Sequence, residues 1–187
     1  AAPAPRRRPW AYVAAGAIVL AAAAASLLWL RSESKPAARS EWVQLTNFPD
    51  SVTQPALSPD GRMVTFIRGP DSFTTPGQIY VKILPDGEPK QLTNDNLQKM
   101  SPVFSPDGSR IAYTAIDARN EWDTWVVPVL GGEPRLWLPN ASGLAWIDKQ
   151  KLVFSEKIRD SEGNHMKLVV AEESRAGARD LYVPMPK

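Results

Sequence analysis

Asp60, Asp107 and Asp148 recur at similar places along the chain, with Asp60 and Asp107 separated by 47 positions. Regularly spaced carboxylates could supply oxygen ligands to a metal ion, and Ser58 and Ser105, each two residues upstream of an Asp, could act as nucleophiles beside a base. Neither chemistry finds its remaining parts. Ser58 and Ser105 precede Pro59 and Pro106 in turn sequences and lack a Gly-x-Ser-x-Gly context, while the single histidine, His165, closes the polar stretch from Asp160 and reads as a loop residue without a partner. No Asp-x-Asp-x-Asp loop is present. An Asp ahead of Gly in a tight reversal caps the backbone locally, which accounts for the recurrence without an ion. Gly131-Gly132 falls where the chain must reverse between strands, so it is no phosphate loop. The expectation is therefore no catalytic residue, no metal and no cofactor. Asn140-Ala141-Ser142 fits a glycosylation sequon, a pattern frequent by chance.

The carboxylates belong to a larger unit. Pro55-Ala56-Leu57-Ser58-Pro59-Asp60-Gly61-Arg62-Met63-Val64-Thr65-Phe66 is answered by Pro102-Val103-Phe104-Ser105-Pro106-Asp107-Gly108-Ser109-Arg110-Ile111-Ala112-Tyr113. Proline brings φ close to the value that the second turn position needs, Asp accepts a hydrogen bond from the backbone ahead, and Gly takes the positive φ that follows. Ser58, Pro59, Asp60 and Gly61, and equally Ser105, Pro106, Asp107 and Gly108, are thus structural turn residues. The runs Met63–Ile67 and Ile111–Thr114 on the far side read as strands. Downstream, Gln78–Lys82 matches Asp123–Val127 and Gly87–Leu92 matches Gly132–Trp137. Tyr80 and Trp125 hold equivalent places, as blade packing or as part of a binding rim, with packing the reading taken. A third, degraded copy runs from Gly143 through Leu152–Ser155 to Lys167–Val170. Four strands in each of about three units (44–93, 94–137 and 138–183) make the blades of a partial β-propeller in an all-β domain over 42–187.

These stretches resemble the WD40-like, Asp-containing propeller repeats typified by TolB, over about residues 42 to 183. The resemblance implies the fold and leaves function open, because such propellers serve transport accessories, signalling proteins and peptidases alike. Gln44-Leu45-Thr46 repeats as Gln91-Leu92-Thr93, so the chain is expected to begin with a last strand whose partner blade is absent, and to be a fragment.

Upstream, Trp10–Leu30 is an uncharged run of 21 residues that would reach roughly 30 Å as a helix. Arg6, Arg7 and Arg8 precede it, Arg31 follows, and Trp10, Tyr12 and Trp29 stand near the expected interfaces. The reading is a basic segment (1–9), a transmembrane helix and membrane partner (10–30) and a polar linker (31–41). A cleaved signal peptide with its site around Ala21–Ser26 is the alternative. The arginine triplet favours a cytoplasmic N-terminus, which puts the propeller in the periplasm on a single inner-membrane pass.

The chain has 22 Lys and Arg against 20 Asp and Glu, but residues 1–40 hold six of the former and one of the latter, leaving 16 basic and 19 acidic residues beyond. That slightly acidic domain offers no footprint for nucleic acid.

Three functions fit this organisation. The first is a non-catalytic, membrane-anchored sensory or protein-interaction domain of a bacterial signalling protein, either a winged-helix transcriptional regulator or a Ser/Thr kinase. The second is a periplasmic TolB-like binding or scaffold protein, and the third is the propeller part of a serine peptidase. Protein or small-ligand partners would meet the loops Asp71–Gly77, Asp117–Glu121 and Arg159–Asn164. With two uncovered blade surfaces, residues 41–187 in isolation should self-associate. Sedimentation velocity should show concentration-dependent oligomers, and a sharply melting monomer would contradict this.

Overall fold

The computed structural model describes residue 22 and residues 43–71, 75–161 and 163–184. The chain divides into two units, Ala1–Gln44 and Leu45–Lys187, and every strand among the described residues lies in the second. The readings for 1–9, 10–30 and 31–41 fall outside the described residues, save that Ala22 is helical. Among the described residues no helix is long and apolar enough to cross a membrane.

Among the described residues twelve strands form three antiparallel sheets of four. The first holds β1 (Ser51–Leu57), β2 (Met63–Gly69), β3 (Gln78–Ile83) and β4 (Lys90–Gln91) in chain order. The second holds β5 (Gln98–Phe104), β6 (Arg110–Ile116), β7 (Trp122–Pro128) and β8 (Arg135–Leu138). The third holds β9 (Ser142–Trp146), β10 (Lys151–Asp160), β11 (Gly163–Glu172) and β12 (Arg179–Tyr182). Each sheet is a meander, and β5 and β9 pack back onto the sheet before them, which is the stacking of propeller blades.

Alternation along the middle blade explains the stacking. Ile111, Tyr113 and Ala115 of β6 join Ile67, Ile79, Val81, Leu92 and Phe104 in one core between the first two blades. Ala112, one residue out of phase, joins Leu144, Leu152, Phe154, Val169 and Ala171 in a second core between the last two. Successive strand side chains point to opposite faces, so one strand feeds both cores.

The first strand of every blade carries an irregularity. The β1–β2 register shifts between Thr53 and Ala56, β5–β6 between Met100 and Val103, and β10–β9 between Val153 and Ser155. At these places Gln54 and Ser101 take φ of 52° and Gly143 takes 59°. The first two bulges interlock, Ser101 N donating to Gln54 Oε1 at 2.6 Å, and the third reaches back to the preceding blade, Gly143 N donating to Thr114 Oγ1 of β6 at 3.0 Å.

Two expectations need correction. Gln44–Thr46 has irregular backbone and is not a strand of any of the three sheets. The third blade carries a long hairpin in place of a loop, for β10 and β11 pair without interruption from Lys151↔Glu172 to Asp160↔Gly163. The polar residues Arg159 and Asn164 therefore face one another across strands, and His165 pairs with Ile158. Gly163 at φ 133°, with its N–H donated to Asp160 Oδ1 (3.2 Å), lets the chain turn tightly there.

Gly61 and Gly108 adopt φ of 70° and 71° after their turn aspartates, and an added Cβ at Gly61 would meet nothing within 4 Å. A substitution there costs backbone strain without a clash. Gly108→Ala should lower unfolding free energy by about 1–2 kcal/mol and Gly108→Asn by less, read from urea midpoints at constant m-value.

Candidate functional site

The repeat turns use nearly all their polar groups on themselves. Ser58 Oγ donates to Asp60 Oδ1 at 2.6 Å and accepts from Met63 N at 2.8 Å, Asp60 Oδ1 accepts from Arg62 N at 3.1 Å, and Gly61 N donates to Ser58 O at 2.9 Å. The second turn repeats the set: Ser105 Oγ to Asp107 Oδ1 (2.5 Å), Arg110 N to Ser105 Oγ (3.2 Å), Ser109 N to Asp107 Oδ1 (3.1 Å) and Gly108 N to Ser105 O (2.8 Å). Asp148 does the same work without Ser or Gly, accepting from Gln150 N and Lys151 N at 2.8 Å each. The serines are buried as turn staples, with Ser105 only 1% exposed. These bonds favour the ionised carboxyl: the Ser58 hydroxyl leads in holding Asp60 below its usual range, and the backbone N–H of Gln150 leads at Asp148. At Asp107 the Ser105 hydroxyl, with the Ser109 amide and hydroxyl, brings the carboxyl down to about 2. Among the described residues no group of three His, Cys, Asp or Glu converges on a point that could hold a metal ion.

At the opposite end from these turns, the loop after β6 meets the end of β10. Glu121 pairs with Lys157 Nζ at 3.2 Å and with Arg159 Nη2 at 3.7 Å, while Lys157 Nζ also donates to Asn120 O at 2.5 Å. Asn140, in the linker between blades, completes the joint: its Nδ2 donates to Lys157 O (3.0 Å), its Oδ1 accepts from Lys157 N (3.1 Å), and its own N–H donates to Asp123 Oδ1 (2.7 Å). Asp117 shapes the second loop, accepting from the backbone of Arg119 and Glu121 at 2.9 Å each. The Glu121 N–H leads in holding that carboxyl low. The expected loop Asp117–Glu121 and the hairpin that replaces the expected loop Arg159–Asn164 thus form one polar rim. The third expected loop spans Asp71–Gly77, of which 72–74 lie outside the described residues. His165 Nε2 stands 3.3 Å from Asp160 Oδ1, with no nucleophile in the pair.

The turn end carries a groove of about 470 Å³ walled by Pro59, Val103, Phe104, Pro106, Trp146 and Ile147, so all three blades contribute to it. Beside it Arg110 is bound to Glu173 at 2.5 Å and its guanidinium lies 5.1 and 5.7 Å from the rings of Trp137 and Trp146, which stack at 5.7 Å. Nothing in the repeat pattern pointed to this cluster, because the position equivalent to Arg110 in the first blade is Met63.

Tyr80 and Trp125 differ in use despite equivalent register opposite Phe66 and Tyr113. Tyr80 is packed, stacked on Phe66 at 5.8 Å and donating its hydroxyl to Gln91 Oε1 at 2.6 Å. Trp125 packs against the first core and also lines a cleft of about 760 Å³ between the first and second blades.

No family model matches the chain, and no curated protein matches it. Solved structures do. A TolB-type protein from Agrobacterium tumefaciens aligns over 73% of this chain and 50% of its own, with a TM-score of 0.56 and 19% identity. The fold is a TolB-like β-propeller. TolB from Acinetobacter baumannii aligns over 73% of this chain and 33% of its own (TM-score 0.53, 18% identity). A puromycin-hydrolyzing peptidase from Mycobacterium tuberculosis aligns over 76% and 23% respectively (TM-score 0.59, 17% identity). The chain therefore spans half or less of the length of these proteins, and shares with them a fold.

The Asp107 carboxyl is lowered on folding, so it adds stability above its ordinary value near 3.8, lost as pH falls from there toward about 2. Asp107→Asn should destabilise the protein at pH 7 and shrink the drop in urea midpoint between pH 7 and pH 2.5. An unchanged drop would show that the turn carboxylate does not contribute to acid sensitivity.

Proposed function

We propose that the chain is a non-catalytic, membrane-anchored propeller serving as the extracytoplasmic sensory or protein-interaction domain of a bacterial signalling protein. That protein is a winged-helix transcriptional regulator or a Ser/Thr kinase. The observation that carries the reading is the order of parts: the Arg6–Arg8 triplet, the uncharged run Trp10–Leu30, the polar stretch 31–41 and then the propeller. In this arrangement the helix crosses the inner membrane once and the propeller stands in the periplasm. The rim joined through Glu121, Lys157 and Arg159 supports a role in docking a protein or small ligand, because its loop and hairpin are held by contacts between blades.

A second reading has its own support in the small residues Ala21–Ser26. Under it the segment is an export signal and the chain a periplasmic binding or scaffold protein like the TolB proteins whose fold it shares. The peptidase reading rests on fold likeness alone.

Alkaline phosphatase fused after Pro184 tests the proposal. The expected result is an active fusion that stays in the membrane pellet after carbonate washing, with an intact mass that retains Arg6–Arg8. An inactive fusion would place the propeller in the cytoplasm and overturn the reading. A soluble periplasmic product beginning near Ser26 would replace it with the second.

A further inference from the structure

The repeat supplies an internal control for a site distinct from the loop rim. Over Tyr80 the first blade lays two of its own large side chains. The Phe48 ring lies 5.9 Å from the Tyr80 ring, and the Arg68 guanidinium lies 4.0 Å from Phe48 and 5.5 Å from Tyr80. Asp50 holds that guanidinium at 2.8 Å. The result is a cation sandwiched among rings and secured by a carboxylate.

In the second blade the same 47-residue offset that relates Asp60 to Asp107 relates Phe48 to Asp95 and Arg68 to Ala115, while strand register relates Tyr80 to Trp125. Both large side chains are replaced by small ones. Asp95 turns to the buried Lys99 amine at 2.5 Å and to the Leu97 amide at 2.8 Å, so its charge is already matched. Ala115 is buried in the core between the blades, and Asp95, in the place of Phe48, lines a cleft of about 760 Å³ together with Leu92, Leu97, Trp125, Glu133 and Pro134. That size lies within the range of ligand-binding clefts.

The geometry points to this cleft as a binding site for an arginine side chain presented by a protein partner, stacked on the Trp125 indole and paired with the Glu133 carboxylate. Indole is the ring face that attracts a cation most strongly, and a planar guanidinium can stack on it while its edge meets a carboxylate. Among the described charges around the cleft, Lys99 is spent on Asp95, and Lys90 Nζ donates to the carbonyl of Leu130 at 2.5 Å. Glu133 is exposed and has no ion-pair partner among the described residues. The arginine would meet on Trp125 the kind of ring face that Arg68 meets on Tyr80. This site does not depend on which side of a membrane the propeller occupies.

The test titrates the 187-residue chain with Nα-acetyl-arginine amide, its neutral isostere Nα-acetyl-citrulline amide and Nα-acetyl-phenylalanine amide, following the indole N–H resonances by NMR. Trp125→Phe assigns the reporting signal. The arginine compound should shift the Trp125 resonance saturably in the millimolar range and bind about fivefold or more tightly than citrulline. Glu133→Gln, a change at an exposed residue, should abolish that preference while leaving the melting temperature unchanged. Absence of a saturable shift with arginine, equal binding of citrulline, preference for the phenylalanine compound, or a preference that survives Glu133→Gln would each overturn the assignment.

Discussion

A sheet with apolar side chains on both faces must be covered on both sides, and this requirement organises the whole domain. The middle blade meets it through β6, whose Ile111, Tyr113 and Ala115 bury against the first blade while Ala112 buries against the third. The first blade meets it differently. Its Ile67 faces the second blade, whereas Phe66, on the opposite face and only 1% exposed, is covered by Phe48 from the segment ahead of β1. The far face of the third blade shows what happens without a cover, for there Met166, Leu168 and Tyr182 are 39%, 40% and 57% exposed. Burial in this architecture is thus contributed by neighbours in the array, with each blade incomplete by itself.

The linkers between blades turn stacking into a fixed arrangement of loops. Between the first two, Gln78 Oε1 accepts from Thr93 Oγ1 (2.8 Å) and Asp95 N (3.3 Å), while Thr93 Oγ1 accepts from Ile79 N (2.9 Å). Between the last two, Asp123 takes the place of Gln78 and holds Asn140 N. The linker amide then reaches β10 at Lys157, whose amine continues to Glu121 and Asn120. One polar chain therefore runs from the linker through the third blade to the rim. Such bonds are favourable because the backbone groups they satisfy would otherwise be buried without partners.

This division explains what the sequence discloses. The Ser-Pro-Asp-Gly turns are legible because φ demand, hydrogen-bond chemistry and position all fall within a few residues, and the structure returns the local bonds that those residue types imply. The four-stranded units follow from the turns and the alternation between them. The bulges at Gln54 and Ser101 are not legible from those residue types, since neither favours positive φ. Only the third copy, with Gly143 at that place, carries a signal for it. Gln44–Thr46 misleads because a last-strand motif encodes one edge of a ladder and says nothing of whether the other edge is at hand. Arg159–Asn164 misleads in the opposite sense: polar composition resembles a loop, yet cross-strand pairing continues through it. Contacts that join distant positions, such as Arg110 with Glu173 and Glu121 with Lys157, leave no local trace.

The same logic separates fold from function in a repeat protein. Positions that recur, such as Ser58 with Ser105 and Asp60 with Asp107, recur because every blade needs the same reversal, so their chemistry is consumed by the backbone. Positions that break the repeat are released from that demand. Met63 gives way to Arg110 and an aromatic cluster appears beside the turn groove; Phe48 gives way to Asp95, and the place over the ring of Trp125 opens as a cleft. Specificity in such a scaffold resides where equivalent blades differ, and a motif found in every blade is for that reason a poor guide to what the propeller binds.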